Sequence, residues 1–190
     1  IYELTPEPQT IGSLEELKAF RDAVNNGEQY NGSLNNSVVL TADIDMTSEN
    51  NWTPIGTRDF PFDGVFDGGG HTIQGLYINS PETDNVGLFG YAKNATIYHL
   101  HLYNPTVKGR GNVGTLLGYA QQDVRISDVL VTGSNDDDYA VYGDDLNCGG
   151  IVGRVDYKCS IERCMFRGVI KGTLLWCGGI LGSGSLDRKS

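Results

Sequence analysis

The chain lacks any apolar run of 18 residues or more, so it holds no candidate membrane-spanning helix. Positive charge is also scarce: 14 Lys and Arg stand against 24 Asp and Glu, a formal net charge of −10. Such a surface repels phosphate backbones and anionic lipid, which argues against nucleic acid as a partner and against direct membrane insertion. Cysteine is limited to four residues with no Cys-x-x-Cys pair, so the spacing of a common zinc site is missing. The hydrophobic fraction, 39%, is modest for 190 residues, whereas glycine, at 26, is abundant. A thin-cored column with several tight corners per coil accommodates both. The chain begins without Met and without a recognisable secretion signal, as a processed N-terminus would.

What the sequence does contain is repetition. Gly87-Leu88-Phe89-Gly90, Thr115-Leu116-Leu117-Gly118, Gly150-Ile151-Val152-Gly153 and Gly179-Ile180-Leu181-Gly182 recur at intervals of 28, 35 and 29 residues, counted on Gly90, Gly118, Gly153 and Gly182. A second phrase follows each of the first three: Ile97-x-x-Leu100-x-Leu102, Ile126-x-x-Val129-x-Val131 and Ile161-x-x-Cys164-x-Phe166. Ile73-x-x-Leu76-x-Ile78 reads as an earlier copy. Units of this length, with short apolar runs divided by Gly, Asn and Asp, are too poor in helical periodicity for helix pairs. They predict an all-β fold, a right-handed parallel β-helix in which each coil buries what its neighbours expose. Repeat alignment places Cys148 and Cys177 where Val113 sits, Cys159 where Ala95 and Val124 sit, and Cys164 where Leu100 and Val129 sit. They read as small core fillers. A disulfide between adjacent rungs stays open, since stacked residues lie within bridging range.

A helix is expected from Ser13. Ser13 and Glu16 form a capping box, Leu14, Leu17, Phe20 and Val24 form an apolar stripe, and Gly27 is a ready left-handed cap. Its expected task is to cover the end of the column. The chain thus divides into residues 1–35, a lead-in with capping helix, and residues 36–190, the repeats. No Ile-x-x-Leu phrase follows Gly182, so the repeats read as truncated, with the natural chain expected to continue past Ser190.

Leu40-Thr41-Ala42-Asp43-Ile44-Asp45, Trp52-x-Pro54-Ile55-Gly56 and Phe66-Asp67-Gly68-x-Gly70-His71-Thr72-Ile73 resemble the opening of GLUG-motif repeat proteins, and Gly87-Leu88-Phe89-Gly90 resembles the motif itself. The resemblance covers roughly residues 25–182. It implies a bacterial surface or secreted module, adhesin-like, of a kind also found ahead of IgA-protease-like metallopeptidase domains. Gly87, Gly90, Gly118, Gly153 and Gly182 are read as structural.

Asp67 and His71 flank a triple glycine, which reads as a tight corner rather than as catalytic machinery. His99 and His101 alternate with Leu100 and Leu102, so both are expected to face outward from one strand. The insertion of residues 135–145 is the least repetitive part, and insertions in repeat proteins cluster on one, often binding, face. Its Asp136, Asp137, Asp138, Tyr139, Tyr142, Asp144 and Asp145 are the candidate binding residues. Asp136, Asp138 and Asp144 offer hard oxygen ligands suited to calcium, though the spacing is not that of an EF-hand. A glycan held by tyrosine and aspartate, or a solvated acidic loop, remains open for the same residues. Sequons at Asn31, Asn35, Asn51 and Asn94 matter only in a glycosylating host.

Three functions follow. The first is a non-catalytic extracellular or cell-surface module for adhesion, display or spacing, with a host or matrix protein or a glycan as partner besides further domains of its own chain. The second is an accessory domain of a larger surface protease. The third is a polysaccharide-degrading β-helix, disfavoured because the residues expected to face outward, among them Gln74, Tyr77, Ser127, Asp128, Glu162 and Arg163, form no ladder of acids. No cofactor beyond calcium is suggested.

Overall fold

In the computed structural model, residues 8–30, 36–133, 139–173 and 176–184 are described. They form a parallel β-helix of about six turns with one helix at its N-terminal end. Each full coil has four sides. A wide, bent sheet carries Thr96–Tyr103, Arg125–Thr132 and then the pair Ser160–Glu162 and Met165–Arg167. The second side stacks Tyr77–Ser80, Thr106–Gly109, Val141–Gly143 and Ile170–Gly172. The third stacks Val113–Gly114, Asn147–Gly149 and Trp176–Gly178, and the fourth Phe89–Ala92, Leu117–Ala120, Val152–Val155 and Leu181–Gly184.

Every pairing is parallel, and the register follows the repeat phrases. Ile97, Ile126 and Ile161 lie one above another, as do Leu102, Val131 and Phe166. Phe89, Leu117, Val152 and Leu181 form a third apolar column. Val113, Cys148 and Cys177 share one position on successive rungs, and all four cysteines are free thiols.

The Ile-x-x-Leu spacing has a backbone cause. In an unbroken strand, inward residues alternate every second position. Here the wide strand bends at a left-handed residue, His99, Asp128 or Arg163 on successive coils, with φ between 49° and 55°. The bend inserts one extra outward position, so inward residues fall three apart before alternation resumes. His99 and His101 both face outward from the one strand Thr96–Tyr103, as expected, but the bend separates them. His99 occupies the corner, and His101 alone belongs to the alternating segment that follows.

The earlier copy at Ile73 is corrected. Phe66, not Ile73, stacks on Ile97, and Ile73 stacks on Leu102. The corner at Asp67–Gly70 carries two more residues than its later counterparts, which shifts the phrase by one column. The repeat glycines have a different cause from the expected tight corners. Left-handed corners are held mostly by Asn, Asp, His, Lys and Arg, whereas Gly118 and Gly153 stand where rungs approach closely. A Cβ on Gly118 would meet the Asn85 carbonyl carbon at 2.3 Å, and one on Gly153 the Asn112 carbonyl carbon at 2.4 Å.

The helix spans Leu14–Asn25. The Glu16 amide donates to Ser13 Oγ (3.2 Å), and Glu16 Oε2 accepts from the Gly12 amide (2.7 Å), so two otherwise orphaned donors are satisfied. Leu17, Phe20 and Val24 are buried. Phe20 packs on Phe62 and Phe66, which both pack on Phe89, so an aromatic chain runs from the helix into the column. The Asn25 side chain donates to Pro54 O (3.0 Å) and accepts from the Gly56 amide (2.7 Å), pairing backbone that no earlier rung reaches.

Candidate functional site

With the interior apolar, ligand chemistry must sit on outward positions, and these differ from side to side. On the second side, Asn79, Lys108, Tyr142 and Lys171 occupy one register position on four coils. Lys108 Nζ lies 4.9 Å from the Tyr142 ring centroid, and Lys171 Nζ 5.8 Å from that of Tyr139. The two tyrosines meet at 5.2 Å. Cation–π contact between neighbouring rungs thus holds both rings against the column. Burial, followed by its hydrogen bond to Asp144, raises the Tyr142 pKa and keeps the phenol neutral.

The Asp144 amide donates to Gly109 O (3.1 Å) and that of Asp145 to Arg110 O (2.8 Å), so the bend that carries both is tied to the preceding rung. Asp136, Asp137 and Asp138 lie outside the described residues. Among the described residues, no three His, Cys, Asp or Glu side chains converge as a metal site. Asp144 is therefore the one proposed calcium ligand whose placement is described.

On the wide sheet, all three histidines of the chain gather near the bend. Asp67 Oδ1 accepts from the Gly69 amide (2.8 Å), closing the glycine corner, and lies 3.4 Å from His99 Nδ1. His71 Nδ1 lies 3.3 Å from Asp43 Oδ1 on the preceding rung. His101 stands between Thr72 Oγ1 (3.4 Å) and Thr132 Oγ1 (3.2 Å), and burial pushes its pKa down, so the imidazole is neutral near pH 7. Asp128 receives a bidentate hydrogen bond from Arg163 (2.7 and 2.8 Å), which chiefly holds its carboxyl down at about 2. A carboxylate so neutralised is a poor proton donor or acceptor at neutral pH. The shallow depression beside His99, His101 and Asp128 therefore contains no pair of acids poised for glycoside hydrolysis.

Sequence reasoning missed a second insertion. Ile55 bridges Phe89 and Phe62 bridges Ala92, so this rung carries four more residues than the strand stacked on it. The excess forms an excursion around residues 57–61 on the fourth side, over Tyr91. Trp52-x-Pro54-Ile55-Gly56 read as one phrase, which hid it. Ile55-Gly56 is the earliest copy of the repeat ending, in register with Phe89-Gly90, and that alignment was the signal. Beside it, Tyr91 meets Tyr119 edge-on at 4.9 Å, and Arg154 lies over Tyr119 at 5.1 Å. Tyr119 donates to Asp156, and burial first, then that bond, pushes its pKa up to about 12.

No protein-family model matches the chain. It is 36% identical over 146 residues to halomucin of Haloquadratum walsbyi, covering 69% of this chain and 2% of that protein. It is 34% identical over 111 residues to a candidate Gly-rich membrane protein of Evansella cellulosilytica, covering 55% of this chain and 13% of that one. A crystal structure of a candidate immunoglobulin A1 protease from Bacteroides ovatus is similar with TM-score 0.66 and 23% identity, over 95% of this chain and 63% of that chain. The chain thus spans a small fraction of the curated relatives it matches, and its likeness to the solved structure is one of fold.

Proposed function

We propose that this chain is a non-catalytic module of an extracellular or cell-surface protein, a stiff column that displays ligand-binding faces or spaces other domains. The observation that carries the reading is the pairing of outward charge. Asp128 with Arg163, Asp84 with Arg110 and Asp156 with Arg154 are ion pairs between outward side chains, and arginine-neutralised carboxylates suit a polar display surface better than acid–base chemistry. The names of its relatives, a halomucin and a Gly-rich membrane protein, support a surface location, and their far greater length supports a role as one part among many. GLUG-type repeats, adhesion and secretion belong to this proposal. An accessory role in a larger surface protease is the second reading, favoured by the fold it shares with the candidate protease.

The test pairs two assays on the purified chain. Immobilised glycans and matrix proteins are expected to retain it, while reducing-end and peptide-release assays on the same materials give no product. Product formation that His99→Ala with Asp128→Asn abolishes would replace the display role with catalysis.

A further inference from the structure

The excursion over the fourth side borders a half-open cavity of about 270 Å³ between Thr53–Arg58 and Thr83–Asn85, with Tyr91 in its wall. That is room for about one sugar ring, at the low end of ligand sites. The Tyr91 side chain belongs to a residue only 5% exposed, and its hydroxyl makes no hydrogen bond among the described residues. A buried phenol without a partner costs free energy that a ligand can recover. Burial raises its pKa, so the hydroxyl keeps its proton as a donor. Arg58 lines the same cavity, lies within electrostatic reach of Tyr91, and has no ion pair among the described residues. Asp84 also lines the cavity, locked by Arg110 through two hydrogen bonds of 2.8 and 2.6 Å.

We infer that this cavity binds a single carboxylated sugar unit of a glycan, its carboxylate facing Arg58 and the Tyr91 hydroxyl, its ring hydroxyls donating to Asp84. Two lining donors without a hydrogen-bond or ion-pair partner among the described residues call for an acceptor carrying negative charge. The lining carboxylate of Asp84, its charge offset by Arg110, calls for hydroxyl donors. The remaining surface, Pro54 and the methyls of Thr53 and Thr83, suits the apolar face of a sugar ring. An acidic peptide would match Arg58 but offers Asp84 chiefly backbone N–H groups, whereas a sugar ring presents several hydroxyls beside its carboxylate. Asp59, the nearest further acid in sequence, lines a different depression with Gly27 and Phe60. The inference rests on the display reading and gives it a ligand class.

The experiment is an amide NMR titration of the whole chain with D-glucuronate, D-glucose and an Asp-Glu dipeptide in parallel, repeated for Arg58→Gln and Tyr91→Phe. Glucuronate is expected to shift the amides of Thr57, Arg58, Asp84 and Tyr91 with a millimolar Kd, glucose to bind at least about tenfold more weakly, and the dipeptide not to bind there. Arg58→Gln should raise Kd about tenfold and Tyr91→Phe about threefold, with the remaining spectrum unchanged, as loss of one charged and one neutral hydrogen bond predicts. Equal shifts with glucose, preference for the dipeptide, shifts elsewhere, or wild-type affinity in Arg58→Gln each overturn the inference. Retention of Arg58→Gln on a glycan array at wild-type strength would overturn this site while leaving the display role standing.

Discussion

The two ends of the column are both lined by large apolar residues and buried very differently. At the N-terminal end, Ile11, Leu17, Phe20, Phe62 and Phe66 are fully enclosed, because the helix lies across the first rungs. On the last described rung, Ile161, Cys164, Phe166, Ile170 and Leu181 occupy the same inward columns yet are only partly buried. Trp176, in register with the buried Asn147, is 59% exposed. The lesson is that a solenoid position has no burial of its own. What covers it is the next rung or a cap, so stability is a sum of interfaces rather than a property of each repeat.

The largest test of that difference removes an aromatic ring at each end, one under the helix and one on the last described rung. Phe20→Ala should cost about 3–5 kcal/mol, since a fully packed ring leaves a cavity. Phe166→Ala should cost about 1–2 kcal/mol, in proportion to the smaller apolar area it hides. Urea unfolding of both variants checks this, and equal losses would break the comparison.

Glycine substitution sharpens it next. Gly150→Ala drives a methyl into the rung stacked on it, where it would meet the Gly179 carbonyl oxygen at 2.1 Å, and should cost about 3 kcal/mol. A Cβ on Gly179, on the last described rung, would meet nothing within 4 Å. Gly179→Ala is expected within about 0.5 kcal/mol of wild type, by the same denaturation assay.

The smallest effect is electrostatic. Arg163 holds Asp128 at about 2, below its ordinary 3.8. A folded value below the unfolded one contributes stability above about pH 4, lost as pH falls toward 2. Carboxyl NMR should find Asp128 titrating near 2 in the wild type and near its ordinary value in Arg163→Gln. Because the pair is open to solvent, global stability should change little.

Much of the fold was legible. The glycine-ended phrases located the apolar columns, and Ser13 with Glu16 announced the cap. Val113, Cys148 and Cys177 fell into one file because a repeat conserves the inward side of each rung. What escaped were the departures from period. The two extra residues at the Asp67–Gly70 corner shift Ile73 by one column, and nothing in its local pattern says so. The left-handed bends are occupied by His99, Asp128 and Arg163, of which arginine does not advertise that conformation and no one residue type marks all three. Contacts between rungs were also hidden. Asn112 donates to Asn85 (2.8 Å) and Asn147 to Asn112 (2.6 Å), a ladder across residues 27 and 35 apart. Of the site, Tyr139 and Tyr142 stood out by composition, whereas Arg58 and Tyr91 fall just past the phrases that end at Gly56 and Gly90, where no motif drew attention to them.

The stacking itself is tested most directly with methyl-labelled Ile and NOE spectroscopy. Contacts are predicted between Ile97 and Ile126 and between Ile126 and Ile161, with none between Ile97 and Ile161, two rungs apart. A direct contact between Ile97 and Ile161, or the absence of both neighbouring contacts, would contradict the coil.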